Sequence, residues 1–253
     1  MLLALRLLPF VIAVATGFLF WSQRQEPSLY PWISGISLLL FCASVICIAW
    51  RRMTLVDVFE KMFPSLLLQI AFVFGLVLVE TTTSLWVIFI GSSLATALSL
   101  ELLFLYCFER ERYPVNGLSR LNIALVPVIV WYTVSTSTGL LTFLHVPHFI
   151  HVLLCGVLGV VLYRTTGHPG ATRAQNNVWM LIGLLIGLHV GWLGLHLPLS
   201  MPMQGAVAAV LFSGGLRMRR YVYKPKPSAQ IAWSEGVTAF VLFTIAIITA
   251  KWL

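Results

Sequence analysis

Charge is what this sequence has least of. Asp, Glu, Lys and Arg together make up 9% of its 253 residues, whereas a soluble domain carries about 25%. Without a charged surface no water-soluble fold could hide so much apolar side chain. The same scarcity narrows the chemistry. There is no Walker A motif, no GxGxxG, no HExxH and no paired-aspartate protease motif. No lysine lies inside a predicted span, since Lys251 stands at the very end, so a retinal-type Schiff base is excluded. Cysteine is also sparse. Cys42, Cys47, Cys107 and Cys155 all fall in apolar runs and form no CxxC, so they read as small apolar residues, not as a disulfide or zinc framework.

What is abundant is apolar surface. The chain is 59% hydrophobic and has a mean hydropathy of +0.94, the signature of a polytopic transmembrane helix bundle. A crossing helix needs about 20 mostly apolar residues. Nine stretches qualify: 3–22, 31–50, 64–82, 84–108, 121–142, 146–164, 177–197, 199–216 and 231–250. The turns after the third and seventh are the shortest, so eight spans is the alternative count.

Basic residues are expected in cytoplasmic loops. With nine spans, fourteen of the sixteen Lys and Arg fall on one side, leaving only Arg24 and Lys251 on the other. This alternation predicts a cytoplasmic N-terminus and an outer C-terminus. It also accounts for the net charge of +8 without a nucleic-acid partner. Trp21, Tyr30, Trp32, Trp86 and Trp252 fall at the outer interface, and Trp50, Tyr106, Tyr163, Trp179, Tyr221 and Trp233 at the inner one. Trp131 and Tyr132 lie mid-span, where their polar tips need partners.

The N-terminal stretch, with Arg6 and Ala13-Val14-Ala15, resembles a signal peptide in part, but its apolar run continues past that triplet. It reads as the first span. Short outer turns predict three tight hairpins. One inner loop, Thr54 to Phe63, pairs Thr54 with Asp57 in a capping-box pattern and reads as a short interfacial helix. No repeat or soluble segment interrupts the chain, which is expected to form one integral membrane domain over residues 1–253.

The seventh span is the most distinctive. Gly183, Gly187, Gly191 and Gly194 share one face, and His189, Trp192 and His196 lie roughly opposite. Small residues at such spacing let helices approach closely. Gly91, Ala95 and Ser99, and Gly205 with Ala209, show weaker versions. A glycine face backed by a polar face predicts a helix with protein on both sides, near the bundle centre.

Candidate chemistry concentrates in few residues. His145, His148, His151, His189 and His196 fall toward the outer side. In antiparallel sixth and seventh spans, His151 matches the depth of His189, and His145 that of His196. Paired imidazoles from two helices suit a haem or a divalent metal; the simpler reading is hydrogen bonding within the bundle. Glu101 is the clearest intramembrane carboxylate, a functional candidate by default, with Arg120 as its expected partner. Glu80 and Glu235 read as interfacial or helix-capping residues. Ser37 and Ser213 have no histidine at matching depth, which disfavours a serine hydrolase.

These features predict a multi-pass protein of a cell membrane, read as the bacterial cytoplasmic membrane, without an assigned cofactor. Its expected role is non-enzymatic: a transporter-like permease, or a subunit whose partners are the lipid bilayer and other membrane subunits. The alternative is a membrane enzyme, a haem- or metal-dependent oxidoreductase or a lipid-modifying enzyme, using the outer histidines.

Overall fold

The computed structural model describes residues 2–78, 82–166, 172–197 and 199–222, together with 233, 236, 237, 240, 241 and 244. Among the described residues there are eight α-helices: α1 (Leu2–Gln25), α2 (Tyr30–Ala49), α3 (Leu55–Leu78), α4 (Thr82–Phe108), α5 (Gly117–Leu144), α6 (His148–Thr165), α7 (Arg173–His196) and α8 (Met201–Val222). A single 3₁₀ turn, Pro27–Leu29, joins α1 to α2. Helices α1 to α7 are long and apolar enough to cross a membrane. Seven such helices mark a membrane-embedded protein. α8 is as long, but Gln204 near its start and the arginines at its end lower its hydropathy. The ninth predicted span, 231–250, lies almost wholly outside the described residues, as do Glu80 and Glu235.

One expected element is corrected. The stretch from Thr54 to Phe63 is not a separate interfacial helix but the cap and about the first two and a half turns of α3, which runs unbroken from Leu55 to Leu78. Thr54 is its cap: its hydroxyl accepts the Asp57 N–H at 3.2 Å and donates to the Asp57 carboxylate at 2.7 Å. Pro64 lies inside the helix and forfeits only the bond to the carbonyl four residues back. Polar side chains and neighbouring helices make that loss tolerable in membrane helices.

The chain divides into two compact units, Met1–Leu125 and Val126–Leu253. In the first, α1 packs most extensively on α4, α2 lies against both, and α3 packs on α2 and α4. Phe41, Ile48, Leu100, Leu103 and Leu118 are fully or almost fully buried there. A polar seam joins α3 to α4. Gln69 donates to the Thr96 hydroxyl at 2.6 Å and the Ser92 carbonyl at 3.3 Å, and the Ser65 and Ser99 hydroxyls meet at 2.8 Å. Bonds of this kind between membrane helices contribute about 0.6 kcal/mol each on average. The seam therefore specifies register more than it stabilises.

In the second unit the closest pairing is α6 with α7, and α8 lies against α7. The predicted glycine face does the work expected of it. A Cβ on Gly183 would strike the backbone of Gly159 and the ring of Tyr163; one on Gly187 would strike the Cys155 carbonyl; one on Gly191 would lie 2.9 Å from the Val152 Cα. The two backbones touch because no side chain separates them. Gly205 likewise faces the Trp131 carbonyl across α5 and α8.

The opposite face of α7 departs from expectation. Val178, Leu181, Leu185, His189, Trp192 and His196 are exposed, so this helix is not enclosed on both sides. Its glycine face meets α6 closely, and among the described residues its far face is left uncovered.

Candidate functional site

The second unit contains a buried polar cluster built by α5, α6, α7 and α8. His151, on the first turn of α6, is 3% exposed. Its Nδ1 lies 2.9 Å from the hydroxyl of Ser137 on α5. That hydroxyl donates to the Val134 carbonyl at 3.0 Å, a bond within its own helix, so the imidazole donates through Nδ1–H. Nε2 is left facing the Cys155 thiol, one turn along α6, at 4.0 Å. A Cβ on Gly194 would come within 3.4 Å of Nε2. The glycine end of α7 therefore closes over the ring.

Beside it, Thr138 donates to the side-chain oxygen of Gln204 at 2.9 Å, and the Gln204 amide donates to the Leu199 carbonyl at 3.2 Å and the Leu197 carbonyl at 3.4 Å. Gln204 thus ties α5 to the turn between α7 and α8, whose carbonyls have no helical partner. Trp131 donates its indole N–H to the Pro202 carbonyl at 2.9 Å, meeting the need foreseen for a mid-span indole. A cavity of about 20 Å³ lies against Gln204 and Gly194 among Val134, Val190 and Val207, which is room for about one water.

His151 and His189, matched in depth by the sequence, are not brought together. His189 is exposed and donates through Nδ1–H to the Leu185 carbonyl of its own helix at 2.7 Å. The reason is angular. His189 is two residues from both Gly187 and Gly191, about 200° round the helix from each, and those glycines face α6. Equal depth therefore placed the two imidazoles on opposite sides of α7. His145 and His148 are exposed at the start of α6, with His145 in the left-handed region at φ 52°. His196 lies with its ring 4.4 Å from that of Trp192. The five histidines expected toward the outer side do not converge, and among the described residues no three His, Cys, Asp or Glu side chains are grouped as metal ligands would be.

Glu101 is half-buried on α4, with one carboxylate oxygen, Oε2, buried and not hydrogen-bonded. No ion pair joins it to Arg120 among the described residues; the ion pairs found there are those of Glu109 with Arg6 and Arg112. Ser37 donates to the Ser34 carbonyl at 2.9 Å, and the Ser213 hydroxyl is buried. Neither lies with a histidine.

One buried charged residue lies outside the predicted spans. Arg219 falls beyond the predicted eighth span, 199–216, but α8 continues past it and it is 2% exposed. Its guanidinium donates to the Tyr163 carbonyl and to the Asn176 side-chain oxygen, the latter at 2.6 Å, and lies 5.6 Å from the Trp179 ring. It joins the ends of α6, α7 and α8. Gly215, one turn earlier, faces the Tyr163 hydroxyl. The spacing of four from a packed glycine was the signal that Arg219 lies on the inner side.

The fold and its interior define a class: a multi-pass helical membrane protein held together by glycine contacts and polar clamps. No protein-family model, no curated protein and no solved structure matches the chain.

Proposed function

We propose that this chain is a non-enzymatic subunit of a larger assembly in a cell membrane. The observation that carries the reading is the exposed far face of α7. His189 lies about 10 Å along the helix from the terminal His196, at 1.5 Å per residue, in a helix long and apolar enough to span. Polar and ionisable side chains inside a membrane almost always face protein or water, because lipid cannot satisfy them. His189 has its Nδ1–H engaged by Leu185, which leaves Nε2 for whatever covers that face. Trp192 and the large aliphatic residues beside it suit a packed protein contact. The interior also supports a structural role, since the buried polar groups around His151 and Gln204 hold one another.

Site-specific photocrosslinking in the native membrane tests this. A photoreactive residue at Trp192 is expected to give a discrete protein adduct, while one at Val157, exposed on α6, gives lipid adducts. His189→Leu should weaken the protein adduct. Lipid adducts alone at position 192, with solute flux through liposomes holding only this chain, would replace the subunit by a permease.

A further inference from the structure

The first unit carries a second feature, unrelated to the α7 face. The end of α4 and the turn that follows it, the end of α2 and the beginning of α1 surround an open cavity of about 860 Å³. Arg6, Arg51, Arg52, Arg110 and Arg112 line it, against Glu109 and Glu111. Positive charge is in excess by three. The acidic side is also partly occupied: Glu109 accepts from Arg6 at 2.7 Å and from Arg112 at 3.2 Å.

The other three arginines form no ion pair with any described residue. Arg52 lies over the Phe108 ring at 5.1 Å and Arg110 over the Tyr106 ring at 5.5 Å. Stacking of this kind fixes the plane of a guanidinium while leaving its edge donors available. Arg51 sits in the left-handed region at φ 60°, a conformation disfavoured for a residue with a Cβ. Compensating the dipoles at the ends of α2 and α4 would need only a basic residue or two near each end, and would need neither a strained backbone nor a concave arrangement.

We propose that this cavity binds a phosphate-bearing anion, and that its source is the headgroup of an acidic phospholipid. Guanidinium edges match phosphate oxygens in bidentate geometry, and several are presented here round one hollow. The lipid source is favoured by the chain beside it. Trp50 precedes Arg51 and is 64% exposed, and Leu55, Val56 and Phe59 after Arg52 are exposed as well. An aromatic and three large apolar side chains flanking an arginine pair fit the boundary of a bilayer, where acyl chain and headgroup meet.

The test uses the full chain in nanodiscs of neutral phosphatidylcholine with a small fraction of phosphatidylglycerol. Native mass spectrometry reads the lipid retained. Each arginine near an anionic lipid is worth about fivefold in affinity, so R51Q/R52Q/R110Q together should lower phosphatidylglycerol retention by on the order of a hundredfold. R173Q, which removes a positive charge elsewhere, should leave retention unchanged. R51K/R52K/R110K keeps the charge but loses the forked donors, and should retain lipid only in part. A second arm adds pyrophosphate to neutral nanodiscs. A stabilisation that disappears in the triple Gln variant would keep the phosphate site but assign it a soluble ligand. Equal phosphatidylglycerol retention by the wild type and the triple Gln variant, with no pyrophosphate effect, overturns the proposal.

Discussion

His151 and Ser137 are joined across α6 and α5 by a 2.9 Å hydrogen bond in which the imidazole is the donor. This bond turns His151, the one buried histidine among His145, His148, His151, His189 and His196, to another helix and away from His189. It should be energetically real but modest. A double-mutant cycle of His151→Leu and Ser137→Ala is expected to give a coupling of about 0.6 kcal/mol and not more than about 1.7 kcal/mol, the average and the upper limit for polar pairs between membrane helices. Reversible unfolding in mixed micelles measures it. Zero coupling would show that the two side chains merely lie near each other.

The glycines of the second unit should differ sharply in their tolerance of a methyl group. Gly187→Ala drives a Cβ into the Cys155 backbone, which cannot move aside as a side chain tip can, and is expected to cost about 1–3 kcal/mol. Gly194→Ala meets side chains rather than backbone, Gln204 Oε1 at 3.3 Å and His151 Nε2 at 3.4 Å, and should cost less than Gly187→Ala because those atoms need give only a few tenths of an ångström. Gly214 has nothing within 4 Å of a built Cβ. There, Ala should stabilise the helix by up to about 1 kcal/mol. Thermal midpoints of the three variants in one detergent give the order, and a different order would refute the close α6–α7 approach.

In the first unit the Gln69 clamp makes a test of polarity. Gln69→Leu removes the donor to Thr96 and Ser92 and should cost about 1 kcal/mol. Gln69→Glu keeps the shape but places a carboxylate against the Ser92 carbonyl. It should cost more, roughly 3 kcal/mol, unless it takes up a proton. The comparison needs only the stabilities of the two variants at neutral pH.

Arg219 should not be replaceable by lysine. Its two donor edges reach the Tyr163 carbonyl and Asn176 at once, and a lysine ammonium has no rigid fork with which to span both. Arg219→Lys is expected to lose one of these charge-assisted bonds, a loss of about 1.5–3 kcal/mol. Limited proteolysis near the ends of α6 and α7 would report the loosening. Wild-type resistance in the lysine variant would mean that only the charge matters.

The order and apolar character of the seven spanning helices, though not where α3 begins, were legible in the sequence, because hydropathy over about 20 residues is a local property. So was the glycine face of α7, since 3.6 residues per turn sets which side chains share a side. The sequence even placed His189 opposite those glycines. It left open which neighbour the glycines meet, and that choice decides everything about the histidines. Once α6 occupies the glycine face, His151 is covered by α7 and His189 is turned away. Depth along a helix can be counted from sequence, but rotation about its axis relative to another helix is fixed only by contact between backbones. Arg219 shows the same limit. A residue that counts as a loop charge by composition is buried because Tyr163 and Asn176, more than 40 positions away, are brought to it by packing.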